Sequence, residues 1–93
     1  SDSYLLLGEY YFDTNNAYKA LLAYQKAAAF SQSPYAPYAT YKLAWCYYAV
    51  GELAKAADKM ELVVAKPGDA VPGLAEAAKG DLARFWRESG RVK

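Results

Sequence analysis

Apolar side chains recur along this chain three and four residues apart, the spacing of one face of an α-helix. Nowhere do they settle into the strict alternation of a half-buried strand. Ala20, Tyr24 and Ala27 share a face of the stretch 17–30, and Leu43, Tyr47 and Val50 share one further on. The interruptions are chemical. Asn15-Asn16 suits a turn, because asparagine tolerates the left-handed region and bonds its own backbone. Ser33-Pro34 reads as a cap followed by a proline in the first turn. Gly51 reads as a helix stop, and Lys66-Pro67-Gly68-Asp69 is the clearest break. The pattern predicts five helices: 2–13, 17–30, one from Ser33-Pro34 to about Val50, 53–65, and one from an Asp69 cap to about Ser89. Pro72 falls in the first turn of the last helix, which Gly73 and Gly80 weaken wherever they are interior.

The elements are written nearly three times. Leu43-Ala44, Tyr47 and Gly51 match Leu7-Gly8, Tyr11 and Asn15, and again Leu82-Ala83, Trp86 and Gly90. Leu7, Leu43 and Leu82 stand 36 and then 39 residues apart. In the intervening helices Ala20, Tyr24 and Ala27 match Ala56, Met60 and Val63. A fixed period of this size marks stacked helical units. The motif resembles the tetratricopeptide repeat (TPR), an antiparallel helix pair per unit of about 34 residues. The resemblance implies an all-α, right-handed helical-hairpin solenoid with two full TPR-like repeats, about 2–33 and 34–67. A C-terminal capping helix, a partial third repeat at about 69–93, follows, so 1–93 is a single domain. It assigns Gly8, Ala44 and Ala83 to close helix approach, and Tyr11, Tyr47 and Trp86 to knobs between neighbours. The run from Ser33 to Ala44 resembles the longer repeats of bacterial cell-envelope proteins, which implies a periplasmic or envelope location. The chain begins without methionine and its pattern ends as a third repeat opens, so the expectation is a piece of a longer protein.

Composition narrows the chemistry. With 93 residues, 55% of them hydrophobic, the chain supports one small core. Net charge is +1, from 11 basic and 10 acidic residues, so no bulk field draws it to nucleic acid. There is no histidine, which removes the usual general base and metal ligand together. Ser31, Ser33 and Ser89 have nothing to activate them. Gly68 and Gly73 lack the Lys-Ser/Thr pair of a phosphate loop. A lone Cys46 excludes an intrachain disulfide and is expected to be an inert, partly buried thiol. No apolar run approaches the roughly 18 residues that span a bilayer. The expectation is no enzyme, no cofactor, no metal and no membrane insertion.

Binding is the remaining class. In the family, ligand peptides lie in a concave groove lined by the first helix of each pair. Matched by position, the resemblance places Leu5, Glu9 and Phe12 in that groove from the first repeat. Tyr38, Tyr41, Trp45 and Tyr48 follow from the second, and Arg84 and Arg87 from the third. Tyr41, Trp45 and Tyr48 are spaced 4 and 3 residues apart, so they share a helix face distinct from the Leu43/Tyr47/Val50 face. Aromatics beside arginine have the composition of an interaction hot spot. Two readings of this stripe stay open, a partner-binding groove and a face covered by neighbouring helices. Leu5 and Glu9 occupy positions where chaperone-tail binders carry their carboxylate clamp, so that ligand is not expected. A partly apolar segment with an acid opposite Arg84 or Arg87 fits better. Arg84, Arg87 and Arg91 either hold an anion or form a solvated face, with Arg84 paired to Glu88. The expected function is a protein–protein interaction module that scaffolds a multiprotein complex; the alternative is a structural or oligomerisation segment whose ends stack on another copy.

Overall fold

The computed structural model describes residues 2–30 and 32–90, the side chain of Asp2 excepted. Every regular element among them is a helix: α1 (Asp2–Asp13), α2 (Ala17–Ala29), α3 (Ala36–Ala49), α4 (Leu53–Ala65) and α5 (Leu74–Ser89). Each helix packs mainly on the next in sequence, and α3 and α5 add a smaller contact. The body measures 36 × 28 × 18 Å. The fold is therefore all-α, built by consecutive packing of five helices.

The short links follow from local chemistry. Asn15 takes φ 62°, as its side chain permits, and Thr14 Oγ1 donates to the carbonyls of Tyr10 (3.0 Å) and Tyr11 (3.1 Å) at the end of α1. The Asn16 side chain accepts from Lys19 N at 3.4 Å and caps α2. Gly51, at φ 88°, turns the chain out of α3.

Two helix starts differ from the sequence reading. Helix α3 begins at Ala36, not at Ser33-Pro34, with Pro37 in its first turn. Ser33 Oγ instead accepts from Tyr35 N at 3.2 Å within the preceding turn, so a second proline three residues on sets the true start. Helix α5 begins at Leu74, and its N-cap is Gly73 in the left-handed region at φ 79° rather than Asp69. Pro72 followed by a positive-φ residue cannot extend a helix backwards, so Gly73 is a boundary. Gly80 alone is interior.

The core has two parts that meet at α3. Leu43 and Cys46 join Ala20 and Tyr24 of α2, with Leu5, Tyr11 and Phe12 against them. Ala44 joins Ala56, Met60 and Val63 of α4 and Leu74, Ala78, Leu82 and Phe85 of α5. Burying a side chain the size of Phe85 stabilises by about 1.5–3 kcal/mol. Gly8 lies where α1 crosses α2: a Cβ there would stand 2.7 Å from Tyr24 Cε1 and 2.8 Å from Cδ1. Ala44 is likewise fully buried. Ala83 is not the third of the set, because it faces solvent; no following helix among the described residues approaches it. Tyr11, Tyr47 and Trp86 are half-buried against the core, and Val50 is half-buried at the end of α3.

Two glycine substitutions are expected to move stability in opposite directions. Gly8→Ala forces a methyl into the buried Tyr24 ring and should cost about 1–3 kcal/mol. Gly80→Ala meets nothing within 4 Å and should add about 1 kcal/mol through helix propensity. Urea unfolding of the two variants beside wild type measures both.

Candidate functional site

Six of the nine candidate residues form one continuous network across α1, α3 and α5. It starts at Glu9 on α1, whose carboxylate accepts from the Tyr38 hydroxyl at 3.0 Å. The Tyr38 and Tyr41 rings stack with centroids 6.5 Å apart. The Tyr41 hydroxyl donates to Asp81 Oδ2 at 2.7 Å, and Trp45 Nε1 donates to the same oxygen at 3.3 Å. The Trp45 ring meets the Tyr48 ring edge-on at 5.3 Å and the Phe85 ring edge-on at 5.0 Å. Tyr48 stacks on Phe85 at 4.9 Å and donates to Glu88 at 2.7 Å. Glu88 also pairs with Arg84 at 3.8 Å.

The helical register of α3 explains this row. Positions 38, 41, 45 and 48 fall on one face at steps of three and four, turned toward α5 and the α1 end rather than into the α2 contact. Each ring is half-buried, with its apolar body on a neighbour and its polar end on a carboxylate, the usual compromise for tyrosine and tryptophan. Helix α5 partly covers Trp45 and Tyr48 through Phe85, and part of each of the four rings stays exposed.

Leu5 is half-buried against the α2 contact. Phe12 lies beneath Lys42, whose Nζ sits 4.3 Å from the ring centroid, a cation–π arrangement. Arg84 is exposed and pairs with Glu88 at 3.8 Å. Arg87 is exposed in the last turn of α5, and no ion pair joins it to the network among the described residues. Arg91 and Ser31 lie outside the described residues. The sequence reading missed Lys42 and Asp81, and placed Glu88 only against Arg84, not against Tyr48. The signal was present: a row of phenol and indole donors needs acceptors, and Asp81, Arg84 and Glu88 repeat on one face of α5 at steps of three and four.

The electrostatics follow from burial and from these carboxylates. Burial, then the hydrogen bond to Glu9, pushes the Tyr38 hydroxyl up to about 12. Burial and the Asp81 hydrogen bond raise Tyr41. The hydrogen bond to Glu88 raises Tyr48. The Tyr24 hydroxyl is fully buried near Glu9 yet makes no hydrogen bond of good geometry, and burial with the Glu9 charge drives its pKa far upward. Cys46 is fully rather than partly buried, and burial pushes its thiol up to about 11 against a smaller pull from Lys42. A thiol held protonated and shielded is a poor nucleophile.

Nothing in this arrangement supplies an activated nucleophile beside a base. Among the described residues no group of three or more histidine, cysteine or carboxylate side chains could hold a metal ion. No helix there is long and apolar enough to cross a membrane. No protein-family model, curated protein or solved structure matches the chain. What the site can do is read from its own surface. It offers aromatic faces with fixed polar ends, one cation on Phe12, and carboxylates held in place.

The phenol–carboxylate bonds carry a pH signature. A tyrosine whose folded pKa lies above its unfolded value stabilises the fold fully below the unfolded value of 10.0, and that contribution is lost as pH rises through the folded value, about 12 for Tyr38. The urea midpoint is therefore expected to fall between about pH 10 and 12, and to fall less in a Tyr38→Phe/Tyr41→Phe variant. An equal fall in both would assign the alkaline loss to other groups.

Proposed function

We propose that this chain is a protein-interaction module of tetratricopeptide-repeat type, a short right-handed solenoid whose concave groove is the α1–α3–α5 face. It binds an extended or helical segment of a partner and serves as a scaffold within a multiprotein complex. The reading is supported by consecutive helix packing, by the recurrence of Leu7, Leu43 and Leu82, and above all by one observation. The Tyr38–Tyr41–Trp45–Tyr48 row is ordered end to end by Glu9, Asp81 and Glu88. Aromatic surface whose rotamers are already fixed loses little further entropy on binding, and tyrosine and tryptophan dominate interface hot spots.

With Arg84 neutralised by Glu88, the open charges of this face are Lys42 beside Phe12 and the free edges of the carboxylates. The ligand this favours is partly apolar with a carboxylate near Lys42, rather than one aimed at Arg84 and Arg87. A bacterial-envelope location remains part of the proposal through the Ser33–Ala44 resemblance alone. The alternative, a segment that stacks on another copy, draws on exposed apolar residues of α1 and α2.

The test is capture from source-cell extract by the immobilised protein beside a Lys42→Glu/Tyr38→Phe twin with unchanged circular dichroism. Trp45 and Tyr48 are left intact because they hold α5. A protein retained by wild type, lost by the twin, and weakened roughly tenfold or more in titration of the purified pair supports the groove. Identical captures, with equal affinities, contradict it.

A further inference from the structure

A second surface lies at the opposite edge, between α1 and α2. Leu7 and Tyr11 of α1 and Leu22 of α2 line a cleft of about 220 Å³, with Lys19 and Lys26 completing its walls. Leu7 is 41% exposed, Tyr10 beside it 62% and Leu22 58%. We propose that this cleft docks an amphipathic helix that carries acidic side chains beside its apolar stripe.

The molecule itself shows what covers such a face. The residues matching Leu7 and Tyr10 are Leu43 and Cys46 in α3, and Leu82 and Phe85 in α5. The first pair is sealed by α2 through Ala20 and Tyr24, the second by α4 through Met60 and Val63. Those four residues are between 0% and 7% exposed. At the third occurrence the same register stands open, so the occupant that fits it is again a helix with small and large apolar residues at steps of three and four.

Charge selects the kind of helix. Lys19 Nζ and Lys26 Nζ each lie 5.6 Å from the centroid of a ring beside the cleft, Tyr11 and Tyr4. The cleft lining holds no carboxylate. A second copy docked face to face would bring two lysine pairs together at a desolvated contact, where like charges cost affinity. An acidic helix meets both.

The probe is a stapled, fluorescent peptide of residues 17–29 with Lys19→Glu and Lys26→Glu, since that helix already seals the equivalent face; the staple offsets the marginal helicity of so short a segment. Its control is the same peptide with both lysines kept. Fluorescence anisotropy should show the acidic peptide binding wild type roughly three- to tenfold more tightly than the control. A Lys19→Glu/Lys26→Glu protein should reverse that order. Leu22→Asp, at an exposed position that folding does not need, should weaken binding roughly tenfold or more. No binding by the acidic peptide, equal binding of both, or binding untouched by Leu22→Asp overturns the proposal. So does sedimentation showing a dimer that Leu22→Asp converts to monomer, since the occupant is then a second copy.

Discussion

Helix α3 must satisfy neighbours on nearly all sides, and the rest of the molecule is arranged around that constraint. One side gives Leu43 and Cys46 to α2, another gives Ala44 to α4 and α5, and a third gives the aromatic row to α5. A helix apolar around most of its circumference is stable only when buried. Helix α5 is therefore structural: without Phe85 and Asp81, Trp45 and Tyr48 would lie open to water and their ring contacts would be lost. Because its polar ends are bonded to Glu9, Asp81 and Glu88, the row is held in place from one end to the other.

The small residues set how closely this can happen. Gly8 lets α1 approach the Tyr24 ring to a distance at which no side chain would fit, and Ala44 and Ala56 allow the same for α3 and α4. Tyr24 fills the space so gained, with its hydroxyl buried near the Glu9 carboxylate.

Much of this was legible in the sequence. Five helices, the Asn15 turn and the Gly51 stop followed from spacing and backbone chemistry, and the recurrence marked buried helix contacts at Leu43 and Leu82 but not at Leu7, which is exposed. The helix starts at Ala36 and Leu74 were not legible, because two prolines compete for one first turn and a positive-φ glycine after Pro72 was read as interior. The face of Tyr41, Trp45 and Tyr48 was visible, but not its division between packing and surface. That division depends on Asp81 and Glu88, which lie 36 to 40 residues away, a separation at which helical spacing says nothing about which donors an acid will meet. Ala83 failed for a different reason: repetition predicts a close approach only where a further helix arrives.

The central claim is that α5 carboxylates fix the aromatic row of α3. A double-mutant cycle on Tyr41→Phe and Asp81→Ala, read by urea unfolding, tests it most directly. The prediction is a coupling of about 1.5–3 kcal/mol, the range of a hydrogen bond to a charged acceptor. Coupling near zero would mean that the two groups act independently, and that the row is ordered by something other than the bonds described.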